Sequence, residues 1–159
     1  MKRTRKDIIL HESGHIFAFK THRKKMFEIH INFLTNDHRE NYIQISLLSP
    51  PCYSLHLIKN EMIFAVSGAT AEKAVARQSP ILKRFKSDYF QAMEYAYAYL
   101  YSIGLENPDV YQAHRLVRFH ERKVLLQLRK RSSKKRIQAI GVRLWRFKKP
   151  LAKIREMRW

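Results

Sequence analysis

Two histidines one helical turn apart, with a glutamate beside the first, make up the run His11-Glu12-Ser13-Gly14-His15. Residues four apart share a face of an α-helix, so both imidazoles can point at one metal ion. Glu12 is rotated away by one residue. It projects beside such an ion, where it can take a proton from bound water without being a ligand. Zinc held by three protein ligands keeps a fourth position for water and lowers its pKa to about 7. The apolar flanks Ile8-Ile9-Leu10 and Ile16-Phe17-Ala18 put the motif in the middle of a helix, as a buried site needs. Gly14 is unfavourable in a helix interior by about 1 kcal/mol against alanine, which points to another backbone approaching closely there.

A third ligand must come from elsewhere. His22 follows His15 on nearly the same face, but the helical rise sets it about 10 Å along the axis, too far to share the ion. Cys52 is the only cysteine, so a thiolate site and an internal disulfide are both excluded. Glu72, Asp88, Glu94 or a further histidine are the candidates.

Three segments together resemble a known family. The run Ile9 to His15 is similar to the active-site helix of the FtsH-type zinc peptidases, with its His-Glu-x-Gly-His core. Ser67-Gly68-Ala69-Thr70-Ala71-Glu72 resembles that family's Gly-Gly-x-Ala-Ala-Glu segment, with Ser67 replacing one glycine. Ser87-Asp88, followed by Ala92 and Ala96, resembles its Asn/Ser-Asp-x-x-x-Ala helix start. The order and rough spacing match over about residues 7 to 105. The resemblance implies that Asp88 is the third zinc ligand and that Glu72 is a supporting carboxylate close by. A carboxylate at a helix N-terminus is also held in its charged form by the helix dipole. The expected chemistry is peptide-bond hydrolysis, with His11, His15 and Asp88 holding one Zn2+ and Glu12 as general base. The family joins its peptidase to an AAA+ ATPase and usually to membrane helices. This sequence contains no G-x-x-x-x-G-K-[ST] loop, so no ATP binding is expected of it. His30, His38 and His56 are open candidates for oxyanion stabilisation.

The elements that must position these residues follow from hydropathy. Helical spacing predicts a helix over about Thr4 to Phe19, burying Ile8, Ile9, Ile16 and Phe19. Met26 to Phe33 and Tyr42 to Leu48 alternate and predict a β-hairpin, whose edge can receive a substrate as an added strand. Ser54 is placed to cap a helix reaching about Arg77, with Leu55, Ile58, Met62, Ala65, Val66 and Ala69 inward. Ser87 is placed to cap a helix from Asp88 to Tyr101, closed by Gly104. Asn107-Pro108 signals the next start, with Val110, Ala113, Val117, Val124 and Leu128 inward. After Ser132-Ser133 a basic amphipathic helix presents Ile137, Ile140, Leu144 and Trp145. The fold expected is mainly helical α+β, with a small sheet against the zinc helix. Residues 1–106 form a zinc peptidase-like core and 107–159 a basic helical region packed on it or extending it.

The 159 residues carry a formal net charge of +19 and are 45% hydrophobic, enough for a packed core and a strong field for anions. No apolar run approaches the roughly 20 residues needed to span a bilayer, and Ile8 to Leu10 is too short for a secretory signal. The cytoplasm is the expected location. From Lys130 to Arg158 cations dominate, among them Arg136, Arg143, Arg146, Lys148 and Lys149, with Trp145, Phe147 and Trp159 interleaved. Three readings stay open: a nucleic-acid contact, an anchor on anionic lipid or an acidic partner, and a solvated helical face.

Overall fold

The computed structural model describes residues 5–22, 27–32, 42–47, 54–75 and 86–146. Their order is α1 (Arg5–His22), β1 (Phe27–Asn32), β2 (Tyr42–Leu47), α2 (Leu55–Val75), α3 (Lys86–Ser102), α4 (Val110–Arg129) and α5 (Arg131–Arg146).

α2 is the axis of the molecule. Met62, Ala65, Val66 and Ala71 are fully buried, and Ser67, Gly68, Thr70 and Glu72 are buried with them. A helix apolar around its whole circumference must be covered on several sides. α1, α3 and α4 all pack on it, while α5 closes over α1 and α4. One core runs through the five helices, from Ile9, Ile16 and Phe17 through Met62, Val66 and Ala92 to Val117, Leu128, Ile137 and Leu144. The C-terminal helices therefore share the core of the motif-bearing helices.

The expected α+β architecture is corrected: the packed body is an all-α bundle of five helices among the described residues. β1 and β2 do pair antiparallel, with Ile29 opposite Ile45 and Ile31 opposite Ile43. Beyond that pairing, every extensive contact between elements is helix on helix among the described residues, and none joins the strands to α1. A two-stranded ribbon is marginal by itself, and α2 occupies the face of α1 that a sheet was expected to cover. Phe33, Leu48 and the turn between the strands lie outside the described residues.

Helix boundaries differ from expectation where polar side chains had competing roles. Ser54 does cap α2, its Oγ accepting from the Leu57 N–H at 3.3 Å. Ser87 lies inside α3, and its hydroxyl donates to Asp88 Oδ1. α4 is capped by Asp109 rather than Asn107. Its carboxylate accepts from the Gln112 N–H at 2.7 Å, and the Gln112 side chain accepts from the Asp109 N–H at 2.9 Å. This reciprocal pair satisfies two orphan donors at once, which Asn107 with Pro108 cannot match. Leu55, Val110 and Trp145, expected inward, are exposed. Leu55 and Val110 are the first residues of their helices, beyond the reach of the packed partner.

Candidate metal centre

α1 brings His11 and His15 to one face, one turn apart, both buried. Asp88 enters from the first turn of α3. α1 and α3 each pack on α2, and the three side chains meet between them. His11 Nε2 and His15 Nε2 are 3.1 Å apart. Asp88 Oδ2 lies 2.9 Å from the first and 3.5 Å from the second. Tetrahedral zinc with donors at about 2.0–2.1 Å sets its ligand atoms roughly 3.3–3.4 Å from one another, and these separations bracket that value. The group could hold a metal ion.

The outward hydrogen bonds decide which atoms face inward. His15 Nδ1 is 2.9 Å from the Phe64 carbonyl oxygen. A carbonyl only accepts, so Nδ1 carries the proton and Nε2 keeps its lone pair for the centre. His11 Nδ1 stands 3.1 Å from Glu72 Oε1, and a carboxylate there favours the same tautomer. With both rings neutral, two imidazole lone pairs and one carboxylate oxygen converge on one point, an arrangement that could hold a metal ion. Asp88 Oδ2 is itself buried and forms no well-directed hydrogen bond to either ring.

The electrostatics agree. Burial by itself lowers the pKa of His11, but the Asp88 and Glu72 carboxylates beside it, with the charge of Glu12, outweigh that and raise it to about 9. Burial pushes the Asp88 carboxyl up. The contacts with His11 and His15 outweigh this and hold it well below the usual carboxylate range. Without a metal, a proton on the His11 ring balances the site.

Two glycines make room for this geometry. A methyl group at Gly14 would collide with the Ser67 carbonyl oxygen and lie 2.6 Å from Ala71 Cβ, so α1 and α2 approach closely, as the mid-helix glycine led one to expect. A methyl at Gly68 would collide with His15 Nε2 and lie 2.6 Å from His11 Cε1 and Nε2. Gly68 therefore leaves the space in which both rings turn toward Asp88. The hydroxyls in this tight interface are satisfied within their own helices: Ser13 donates to the Ile9 carbonyl and Ser67 to the Ile63 carbonyl, both at 2.6 Å.

His11, His15, Asp88 and Glu72 are thus brought together, and Glu12 is half-buried in the same turn of α1. Glu94 is exposed on α3 and His56 exposed near the start of α2, so neither joins the centre. The side chains of His22 and His30, and His38 altogether, lie outside the described residues. Arg136, Arg143 and Arg146 are exposed on α5, while Lys148 and Lys149 lie outside the described residues. Sequence reasoning missed the Phe64 carbonyl, for which residue type gives no signal, and the space-making role of Gly68, whose signal was a glycine in a buried helix. It also missed a cleft of about 240 Å³ between α2 and α4, lined in part by His56, Lys59, His120 and Lys123.

Among the described residues, no helix is long and apolar enough to cross a membrane. No protein-family model matches the chain, and no curated protein is significantly similar to it.

Proposed function

We propose that this chain is an ATP-independent zinc peptidase, acting on peptide or protein substrates. The reading rests on one observation: His11 Nε2, His15 Nε2 and Asp88 Oδ2 lie 2.9–3.5 Å apart with their lone pairs converging, next in sequence to the carboxylate of Glu12. Two imidazoles with one carboxylate suit zinc among the common divalent ions. The resemblance to the FtsH-type active-site helix favours the same assignment.

A zinc ion held by these residues supplies Lewis acidity, which polarises a carbonyl and acidifies water. The chain's own groups do the rest. Phe64 and Glu72 fix the two rings through Nδ1, so that Nε2 faces the centre. Glu12 accepts a proton from water and returns it to the departing amine. Asp88, whose side chain is 17% exposed against 4% for His11, is the less buried of the two.

The test is metal analysis paired with hydrolysis of a fluorogenic casein. Wild type should carry about one zinc per chain, and Glu12→Gln should keep the metal while losing about 10²-fold or more in rate. His15→Ala should lose both. Absence of stoichiometric zinc, or undiminished cleavage by Glu12→Gln, overturns the reading. Metal retained with no cleavage by wild type favours a silent peptidase-like binding protein, which the basic surface of α4 and α5 also favours.

A further inference from the structure

Between Val110 and Arg146 the chain carries twelve lysines and arginines against one acidic residue, Glu121. Glu121 is buried and already bonded, its Oε2 accepting from Arg118 at 2.7 Å. Eleven of the twelve cations are exposed, and Lys134 is half-buried. The inner stripes of both helices, through Val117, Leu128, Ile137 and Leu144, are spent on the core. What remains outward is a cationic surface in which large rings are interspersed: Tyr111, Phe119 and Trp145 are each at least half exposed. Two of the rings lie close beneath cations. The Arg115 guanidinium is 5.8 Å above Tyr111, and Lys123 Nζ is 4.3 Å above Phe119.

Lys123 also marks where this surface meets a concavity. It lines the cleft between α2 and α4 together with Lys59, Asn60 and the buried His120. His120 is 3% exposed, and its Nδ1 has no hydrogen-bond partner. Burial first, then the ammonium groups of Lys59 and Lys123, lower its pKa to about 4. The field in the cleft is therefore positive even with the imidazole neutral.

We infer that the outer face of α4 and α5, together with the Lys59–Lys123 cleft, binds the phosphate backbone of nucleic acid, with one phosphate seated between the two lysines. Three features favour this polyanion. The core of a protein interface is depleted in charged residues, whereas nucleic-acid interfaces are strongly positive. The exposed apolar residues of the two helices, the rings Tyr111, Phe119 and Trp145 with Val110, Leu126 and Val142, are interspersed with cations; the rings suit base stacking, and the set does not make the continuous apolar face that a lipid surface requires. Finally, α4 and α5 extend about 30 and 24 Å, and phosphates recur about every 1.7 Å of duplex axis, so many cations can be matched at once. Such contacts carry no base readout, and binding is expected to be indifferent to sequence.

The experiment is fluorescence anisotropy of the full chain with labelled single-stranded RNA and duplex DNA of about 20 units, between about 50 and 200 mM salt. Affinity should fall steeply, with a log–log slope of about −4 or steeper on duplex if five or more phosphates are neutralised. The triple variant Arg122→Glu, Lys135→Glu, Arg146→Glu should bind at least tenfold more weakly and flatten the slope by about 3, and Lys123→Glu should flatten it by about 1. Unchanged circular dichroism and thermal midpoint show that a variant is folded; for any that is not, the corresponding Gln substitutions replace it and should weaken binding in the same direction. Vesicles of phosphatidylserine and phosphatidylcholine serve as the competing surface. A slope near zero, binding unaffected by the triple variant, or sedimentation with vesicles in the absence of nucleic-acid binding overturns the proposal.

Discussion

His11 Nε2 and Asp88 Oδ2 stand 2.9 Å apart, one in the second turn of α1 and the other in the first turn of α3, with α2 holding both helices. Neither residue acquires this neighbour from its own helix. The contact is a product of packing, and so is any metal affinity it confers. Asp88→Asn should keep the fold and weaken zinc binding by well over tenfold, since it exchanges an anionic ligand for a neutral amide in a buried site. Competition with a chromophoric chelator measures this directly. Unaltered affinity would remove Asp88 from the ligand set.

Glu72 faces the same ring from the other side, 3.1 Å from Nδ1. Outer carboxylates of this kind hold the ligand tautomer and typically contribute 10- to 100-fold to metal affinity or activity. Glu72→Gln is expected to weaken zinc within that range and to lower the pKa of His11 in the metal-free protein. The imidazole shift followed by NMR checks the second effect independently of the first.

Gly68→Ala is expected to weaken metal binding at the centre. The added methyl must displace the His15 and His11 rings, and overpacking of this kind costs about 1–3 kcal/mol. Gly14→Ala instead forces apart the α1 and α2 backbones at Ser67. Urea titration should find Gly14→Ala the more destabilising, while metal analysis should find Gly68→Ala the more damaging to the centre.

His120 makes acid stability predictable in sign. Its pKa is lowered in the folded protein, to about 4, by burial and then by Lys59 and Lys123. Between that value and about 6.5 the unfolded chain binds the extra proton. Its contribution is therefore fully present above pH 6.5, is lost as pH falls toward 4, and declines no further below. The slope from this residue is at most about 1.4 kcal/mol per pH unit. His120→Asn should abolish this component, seen as the difference between wild-type and variant urea midpoints across that range. Stability that is unchanged by His120→Asn between pH 6.5 and 4, or that the variant lowers only at acid pH, would contradict the burial of a neutral ring.

The Asp109–Gln112 capping box should be worth about 0.5–2 kcal/mol. Asp109→Ala is expected to lower the thermal midpoint by that equivalent while leaving metal affinity unchanged, because α4 contributes none of the candidate ligands His11, His15 and Asp88.

Local spacing was sufficient for part of this protein. The four-residue interval of His11 and His15, the apolar residues around them and the interior Gly14 specify a helix with two imidazoles on one buried face, whatever else surrounds it. The apolar stripes of α2, α4 and α5 likewise follow from periodicity, because a helix repeats every 3.6 residues in any fold. The strand pairing of residues 27–32 with 42–47 was legible from alternation.

Three-dimensional packing decided what periodicity leaves open. An isolated acid such as Asp88 or Glu72 reads the same on a solvated surface as in a buried centre; only the seating of α1 and α3 on α2 distinguishes them. The same packing made the body all-helical, since α2 needs covering all round and the hairpin could not do this. Gly68 and the Phe64 carbonyl owe their importance to side chains that arrive from α1, and His120 owes its depressed pKa to burial and to Lys59 on α2 as much as to its helical neighbour Lys123. Sequence order records what each residue can do chemically. Which lone pairs, charges and methyl-sized spaces confront one another depends on distances across helices, and those exist only once the chain is folded.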